Sequence, residues 1–158
     1  FIGVQTYTRE VFKHNQFNPY LKLKHIPATD RSIDLTAMNW EMHSDSIYEV
    51  LMKLKSYNLN TPLIVTENGA AFEDKVILDR VNDFPRIHYY QTHIDKVMKA
   101  REEGADVRGY FAWSLIDNFE WAEGYRPRFG LIYVNFETKQ RIMKESARWF
   151  KHFLSSSN

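Results

Sequence analysis

The sequence predicts an α/β fold built on a parallel sheet. Three observations carry this: short apolar runs alternate with amphipathic helical stretches, the runs read as buried strands, and one of them ends on a carboxylate. Alternation of this kind specifies βαβ units. Residues 62–69 are Pro-Leu-Ile-Val-Thr-Glu-Asn-Gly. Leu63, Ile64 and Val65 suit a parallel strand covered on both faces, Glu67 follows at its C-terminal end, and Asn68-Gly69 is read as a turn. In a (β/α) barrel that end of a strand is where catalytic groups sit.

Each element follows from local pattern. Phe1-Ile2-Gly3-Val4 is a strand signal, and the polar run Gln5-Thr6-Tyr7-Thr8-Arg9 leaves it. Residues 10 to about 40 show no clear period and contain Pro19 and Pro27, so a long loop is expected, of a length that tends to be functional. A helix is predicted from about Ser46 to Tyr57, with Ser46 and Glu49 as a capping box and Ile47, Val50, Leu51 and Leu54 as its apolar stripe. After strand 62–66 an irregular stretch runs to Asp83, which can cap a helix with Pro85 in its first turn. Ile87, Tyr90, Ile94, Val97 and Met98 share its face, and Gly104 ends it. Val107 to Trp113 is the third strand. Phe129–Asn135 and Gln140–Met143 read as a hairpin around Glu137-Thr138-Lys139. A last helix covers about Lys144 to Leu154, with Ala147, Phe150 and Leu154 inside.

Composition narrows the function classes. The 158 residues are 44% hydrophobic and 26% charged, as in ordinary globular domains. A net charge of +1, with no block of like charge, points to neither nucleic acid nor a membrane surface. No cysteine is present, so disulfides and thiolate metal sites are excluded. The six histidines are scattered, so no metal site is expected, and no cofactor is expected. The sequence shows no signal peptide or apolar stretch of membrane-spanning length. The compartment stays open, with the cytoplasm preferred to secretion. The aromatic share of 15% suits carbohydrate faces but equally fills cores.

The three strand ends carry the candidate chemistry: Gln5 and Tyr7, then Glu67, then Trp113 with Asn118-Phe119-Glu120-Trp121. Parallel neighbours would bring them to one rim. Carboxylates grip hydroxyl pairs, indoles cover apolar ring faces, and one carboxylate can attack an anomeric carbon.

These residues resemble family 1 glycoside hydrolases, the β-glucosidase family. Thr66-Glu67-Asn68-Gly69 looks like its nucleophile signature. The run from Val107 through Trp113-Ser114 to Asn118-Phe119-Glu120-Trp121 resembles its eighth-strand motif, and Gly124-Tyr125 and Arg128–Val134 follow in order. Gly3–Tyr7 resembles the sixth-strand segment, Met38-Asn39-Trp40-Glu41 an MGWE segment, and Arg86-Ile87, Tyr89-Tyr90 and His93 fit the helix after strand seven. The similarity covers essentially the whole chain.

The resemblance implies the C-terminal portion, about strands six to eight, of a (β/α)8 TIM barrel, with a short β-hairpin. Residues 1–158 would be a single partial domain, and the chain's start at Phe1 fits a piece of something larger. It implies a retaining β-glycosidase with Glu67 as nucleophile and Tyr7 holding it ionised and aimed. Glu120 would bind O4 and O6 of the glycone, Trp121 its O3 region, and Trp113 would floor the ring. Phe129 would close the O6 side, and Gln5 would lie near the 2-position. Tyr7, Trp113 and Phe129 each have a plain packing reading as well.

Relatives acting on 6-phosphoglycosides carry Ser, Lys and Tyr where this chain has Glu120, Pro127 and Phe129. An unphosphorylated β-glycoside or oligosaccharide is therefore the expected substrate. Gln5-Thr6 replaces the more usual Asn-Tyr, and Asn39 replaces Gly, a change in loop conformation. The family's acid/base segment is absent, so the remainder of the barrel is an expected partner and the isolated chain is expected to be inactive. The alternatives are a non-catalytic sugar- or protein-binding relative and a barrel fragment active only on association.

Overall fold

The computed structural model describes residues 1–156. Three strands, β1 (Ile2–Gln5), β4 (Leu63–Asn68) and β7 (Val107–Ala112), form a parallel sheet in the order β1-β4-β7. Helix α1 (Asp45–Ser56) lies between the first two in the chain, α2 (Phe84–Glu102) between the second and third, and α3 (Glu145–Ser156) follows. Three antiparallel pairs complete the fold: β2 (Val11–His14) with β3 (Leu23–Ile26), β5 (Val76–Ile77) with β6 (Arg80–Val81), and β8 (Ile132–Val134) with β9 (Arg141–Met143).

The alternation of a strand's side chains sorts the sheet into two unlike faces. Val4, Leu63, Val65 and Val107 pack on Ile47 and Leu51 of α1 and on Val97 and Ala100 of α2. Fully burying one such aliphatic side chain is worth about 1.5–3 kcal/mol, so this layer holds the helices to the sheet. A second cluster joins Tyr89, Tyr90 and Ile94 of α2 to Leu131, and Ala147 and Phe150 of α3 pack against it. The opposite face carries Ile64 and Phe111, the latter 61% exposed. The expectation of strands covered on both faces is thus met on one face only. Among the described residues no strand pairs with the outer edge of β1 or of β7.

Several sequence expectations change. The loop expected over 10–40 contains the β2–β3 hairpin and a helical turn at Ala28–Asp30. The capping box does not form: α1 starts at Asp45, its cap Ser44 makes no side-chain bond, and the Ser46 hydroxyl pairs with His43 Nδ1 at 2.8 Å. Val50, Met98 and Leu154, placed on inner faces, are exposed. On α2 the buried face also takes in Arg86, Tyr89 and His93, because a buried ion cluster and a ring stack compensate their polar atoms. The stretch before Asp83 holds the two-residue strands β5 and β6. The hairpin begins at Ile132 rather than Phe129, because residues 129–132 bond the segment after β7: Ser114 N–H donates to Phe129 O at 3.2 Å and Leu131 N–H to Ser114 O at 2.8 Å.

Other local readings hold in part. Gly104, at φ +90°, ends α2 in a Schellman arrangement. Its N–H donates to Arg101 O at 2.8 Å and that of Ala105 to Ala100 O at 2.9 Å, which satisfies the last carbonyls of the helix. Asn39, expected to change the loop conformation, has φ +56°, which asparagine tolerates better than most residues and glycine adopts freely, so the replacement does not by itself require a different loop. Asp83 precedes α2, as expected, but its carboxylate turns to α3, accepting the Ser146 N–H at 2.8 Å. A carboxylate at a helix N-terminus is stabilised by the helix dipole.

Candidate active site

Parallel pairing delivers the three strand ends to one rim. Gln5 is in register with Glu67, and Asn68 with Ala112, which precedes Trp113. Glu67 is half-buried, and the Tyr7 phenol, two residues beyond Gln5, donates to its Oε2 at 2.7 Å. Burial first, and then the hydrogen bond to Glu67, push the Tyr7 phenol far above its ordinary range. It therefore remains a donor at every working pH, the form that stabilises a carboxylate beside it.

Tyr7 is itself held by rings. Phe129, 3% exposed, meets it edge-on at 6.3 Å between centroids, and Trp40 packs against it at 5.5 Å. Trp40 and Phe129 lie 6.1 Å apart, closing a triangle of aromatic contacts behind the phenol. Edge and tilted contacts at such separations are the favourable ring geometries.

Glu120 is half-buried ahead of the helical turn Trp121–Glu123, and its N–H donates to Gly124 O at 2.7 Å. Its pKa is raised, first by burial and then by the charge of Glu67, so the two carboxylates share one electrostatic environment. Trp113 is partly buried, its N–H donates to Asn68 O at 2.8 Å, its carbonyl accepts the Tyr90 hydroxyl at 3.1 Å, and its peptide bond to Ser114 is cis. Gln5 is exposed at the rim. Trp121 is 82% exposed, in the helical turn that follows Glu120.

Other residues that build the rim escaped sequence reading. Asn68, read as a turn residue, is the last residue of β4 and fully buried. Trp40 was visible only inside a motif, with no hint that it backs Tyr7. A largely buried ion cluster joins α2, the segment before β5 and the segments after β7. Lys144 pairs with Asp74 and, at 2.8 Å, with Asp117; Arg86 pairs with Asp74 at 3.0 Å and with Asp83; Arg128 reaches Asp117 at 3.0 Å. Three cations meet three carboxylates, as burial of charge requires. Asp117 also accepts the N–H groups of Gly130 and Val134, so it ties the loop bearing Glu120 to the segment bearing Phe129. Local sequence gives no signal for this cluster: Asp74 stands in the charged run Glu73-Asp74-Lys75 and Lys144 directly before Glu145.

Among the described residues no group of His, Cys, Asp and Glu is placed to hold a metal ion, and no helix is long and apolar enough to cross a membrane. The chemistry on offer is that of a phenol-braced carboxylate with a second carboxylate in the same field. A parallel α/β sheet that gathers such groups at its strand ends has the architecture of a barrel wall with its site at the mouth.

Comparison with known proteins agrees with that architecture. The chain belongs to glycosyl hydrolase family 1, whose model matches residues 1–158. It is 42% identical to β-glucosidase A of Thermotoga maritima over 158 residues, 99% of this chain and 34% of that protein. It is 37% identical to 6-phospho-β-galactosidase 1 of Streptococcus pneumoniae over 144 residues, 89% of this chain and 29% of that protein. Among solved structures, the family 1 β-glucosidase of Thermotoga maritima, a TIM-barrel enzyme, superposes with a TM-score of 0.89 at 42% identity, covering 97% of this chain and 34% of that one. The chain spans about a third of the length of these relatives.

Proposed function

We propose that this chain carries the nucleophile portion of a retaining β-glycosidase, corresponding to about strands six to eight of the barrel, at its C-terminal end. The observation that supports this best is the 2.7 Å hydrogen bond from Tyr7 to Glu67 at a strand end. A carboxylate that accepts a hydrogen bond from a phenol is held in a fixed direction. In this reading Glu67 attacks the anomeric carbon of a β-glycoside, the bond to the aglycone oxygen breaks, and a glycosyl ester forms. A general acid from the remainder of the barrel protonates the departing oxygen. Water, deprotonated by the same group, then attacks the anomeric carbon and releases Glu67.

Glu120 is assigned to the glycone rather than to acid catalysis. Its carboxylate, with Trp113 beneath the ring, Gln5 near the 2-position and Trp121 toward O3, would grip the sugar hydroxyls. Phe129 acts mainly through Tyr7, which it supports edge-on. The acid/base group is proposed to lie outside this chain, because a retaining enzyme needs its two working carboxyls about 5–5.5 Å apart and Glu120 is already engaged.

The substrate is proposed to be an unphosphorylated β-glycoside, such as a glucoside, galactoside or fucoside. The relatives include both a β-glucosidase and a 6-phospho-β-galactosidase, so the choice rests on the site itself. A phosphate on O6 would meet the Glu120 carboxylate, and the two negative charges would repel. A β-glucoside and its 6-phosphate, compared under identical conditions, decide the point.

A second reading, a fragment that functions only on association with the rest of the barrel, is favoured by the open edges of β1 and β7 and by the exposed face bearing Phe111. The two readings are compatible. Intact mass spectrometry with a 2-deoxy-2-fluoro-β-glucoside bearing a good leaving group tests both. One covalent sugar on Glu67 in the assembled barrel, and none on the chain alone, is the expected result. A sugar mapped to another residue would overturn the assignment of Glu67.

A further inference from the structure

Asn68 follows Glu67 in the chain and is fully buried. Its amide NH2 donates to the carbonyl of Thr6, just past β1, and to the Tyr89 hydroxyl of α2 at 3.0 Å; its carbonyl accepts the Tyr110 hydroxyl of β7 at 2.6 Å. The orientation of the amide is dictated, since a backbone carbonyl can only accept and must face the NH2. One side chain thus joins the neighbouring strand on either side and the helix behind them, with both of its donors used.

The backbone repeats the pattern. Thr6 N–H donates to Glu67 O at 3.4 Å, and Trp113 N–H to Asn68 O at 2.8 Å. The peptide groups that follow Glu67 and Asn68 are therefore tied to opposite neighbours, and the Asn68 amide locks that arrangement from within. Its side-chain hydrogen bonds go to Thr6, Tyr89 and Tyr110, so its influence on the Glu67 carboxylate passes through the main chain.

We propose that Asn68 is a positioning residue for the reaction: it fixes the main chain at Glu67 so that the carboxylate meets the Tyr7 phenol and the anomeric carbon together. The inference rests on Glu67 being the nucleophile. A fully satisfied buried polar group rigidifies its surroundings, and catalytic geometry tolerates little error; a displacement of about 1 Å can cost about 10²-fold in rate. Apolar packing at this position would stabilise the strand end without setting its direction. Tyr110 acts through Asn68, as the donor that holds the amide carbonyl.

The test uses the barrel assembled from this chain and its remainder, with 2,4-dinitrophenyl β-glucoside as probe, so that the departing group needs little acid assistance. Asn68→Ala is expected to lower the rate of the glycosylation step by about 10- to 100-fold with KM nearly unchanged. Tyr110→Phe should give a smaller loss, and the double variant should be no slower than Asn68→Ala, because coupled residues are not additive. Val107→Ala, at the far end of β7, supplies the comparison: lower thermal stability with an unchanged rate per folded molecule. An Asn68→Ala protein with the unmodified rate per folded molecule, only less stable, overturns the proposal. Should Asn68→Ala fail to fold, an unmodified rate in Tyr110→Phe overturns it instead. An unmodified assembled barrel that neither turns over nor is labelled overturns the nucleophile reading itself, and this inference with it.

Discussion

The Tyr7 phenol, beyond the end of β1, donates to Glu67 Oε2 at 2.7 Å from the end of β4. The two residues are 60 positions apart in the chain, and parallel pairing of their strands is what brings them together. Removing the hydroxyl should therefore affect chemistry more than binding. A hydrogen bond to a charged group is worth about 1.5–3 kcal/mol, so Tyr7→Phe is expected to lower kcat by about 10- to 100-fold in the assembled barrel. Steady-state kinetics with an aryl β-glucoside checks this; an unchanged kcat would show that Tyr7 is there for packing.

Glu120 titrates above the ordinary glutamate range because of burial, and secondarily because of the charge on Glu67. In Glu67→Gln the second cause disappears and the first remains. The pKa of Glu120 should fall yet stay raised, as followed by carbon-detected NMR of the chain. A return to the ordinary value would mean that charge repulsion, and not burial, dominates.

Gly69 has no room for a side chain. A Cβ built there would lie 1.8 Å from the Trp113 carbonyl oxygen and 2.8 Å from its carbon. Gly69→Ala must push the loop after β7 away from β4. Chemical denaturation should show a loss in the overpacking range of about 1–3 kcal/mol or more, and Trp113 fluorescence should shift.

Lys144 is fully buried between Asp74 and Asp117. Lys144→Met keeps much of the volume but leaves two buried carboxylates short of a cation, which costs about 3–5 kcal/mol. Urea unfolding should show the full loss, and adding Asp74→Asn should recover part of it. A single substitution without effect on the midpoint would mean that water reaches the cluster.

His93 stacks on Tyr89 at 3.8 Å, and its Nδ1–H donates to the Tyr89 carbonyl at 2.8 Å. Burial lowers its pKa from 6.5 to about 4. Between these values the unfolded chain binds the extra proton and the folded chain does not, so stability rises with pH across the window and is complete above it. The shift corresponds to about 3 kcal/mol. Urea midpoints should fall on acidification from pH 7 to 4.5, and His93→Phe should flatten that part of the profile.

The strand–helix alternation was legible because apolar periodicity is a local property, and the Schellman end at Gly104 because glycine is the residue that adopts its φ without strain. The capping box was misread at Ser46: its hydroxyl found His43, a competitor no local rule weighs. Val50, Met98 and Leu154 were placed inside by periodicity alone, but a helical stripe is buried only as far as something covers it. Asn68-Gly69 looked like a turn because asparagine and glycine favour turns; a buried amide with three hydrogen-bond partners from distant segments overrides that preference.

By itself, the sequence determined the α/β class, the order of the main elements, the family resemblance and the identity of the residues at each strand end, since these depend on near neighbours and on ordered motifs. Only the tertiary structure decided that Trp40 and Phe129 back Tyr7, that Trp121 is exposed, and that Asn68 binds three segments while five buried charges and the half-buried Arg128 neutralise one another. Hydrogen bonds and ion pairs of that kind act over a few ångströms between residues tens of positions apart, and no periodicity along the chain records such distances.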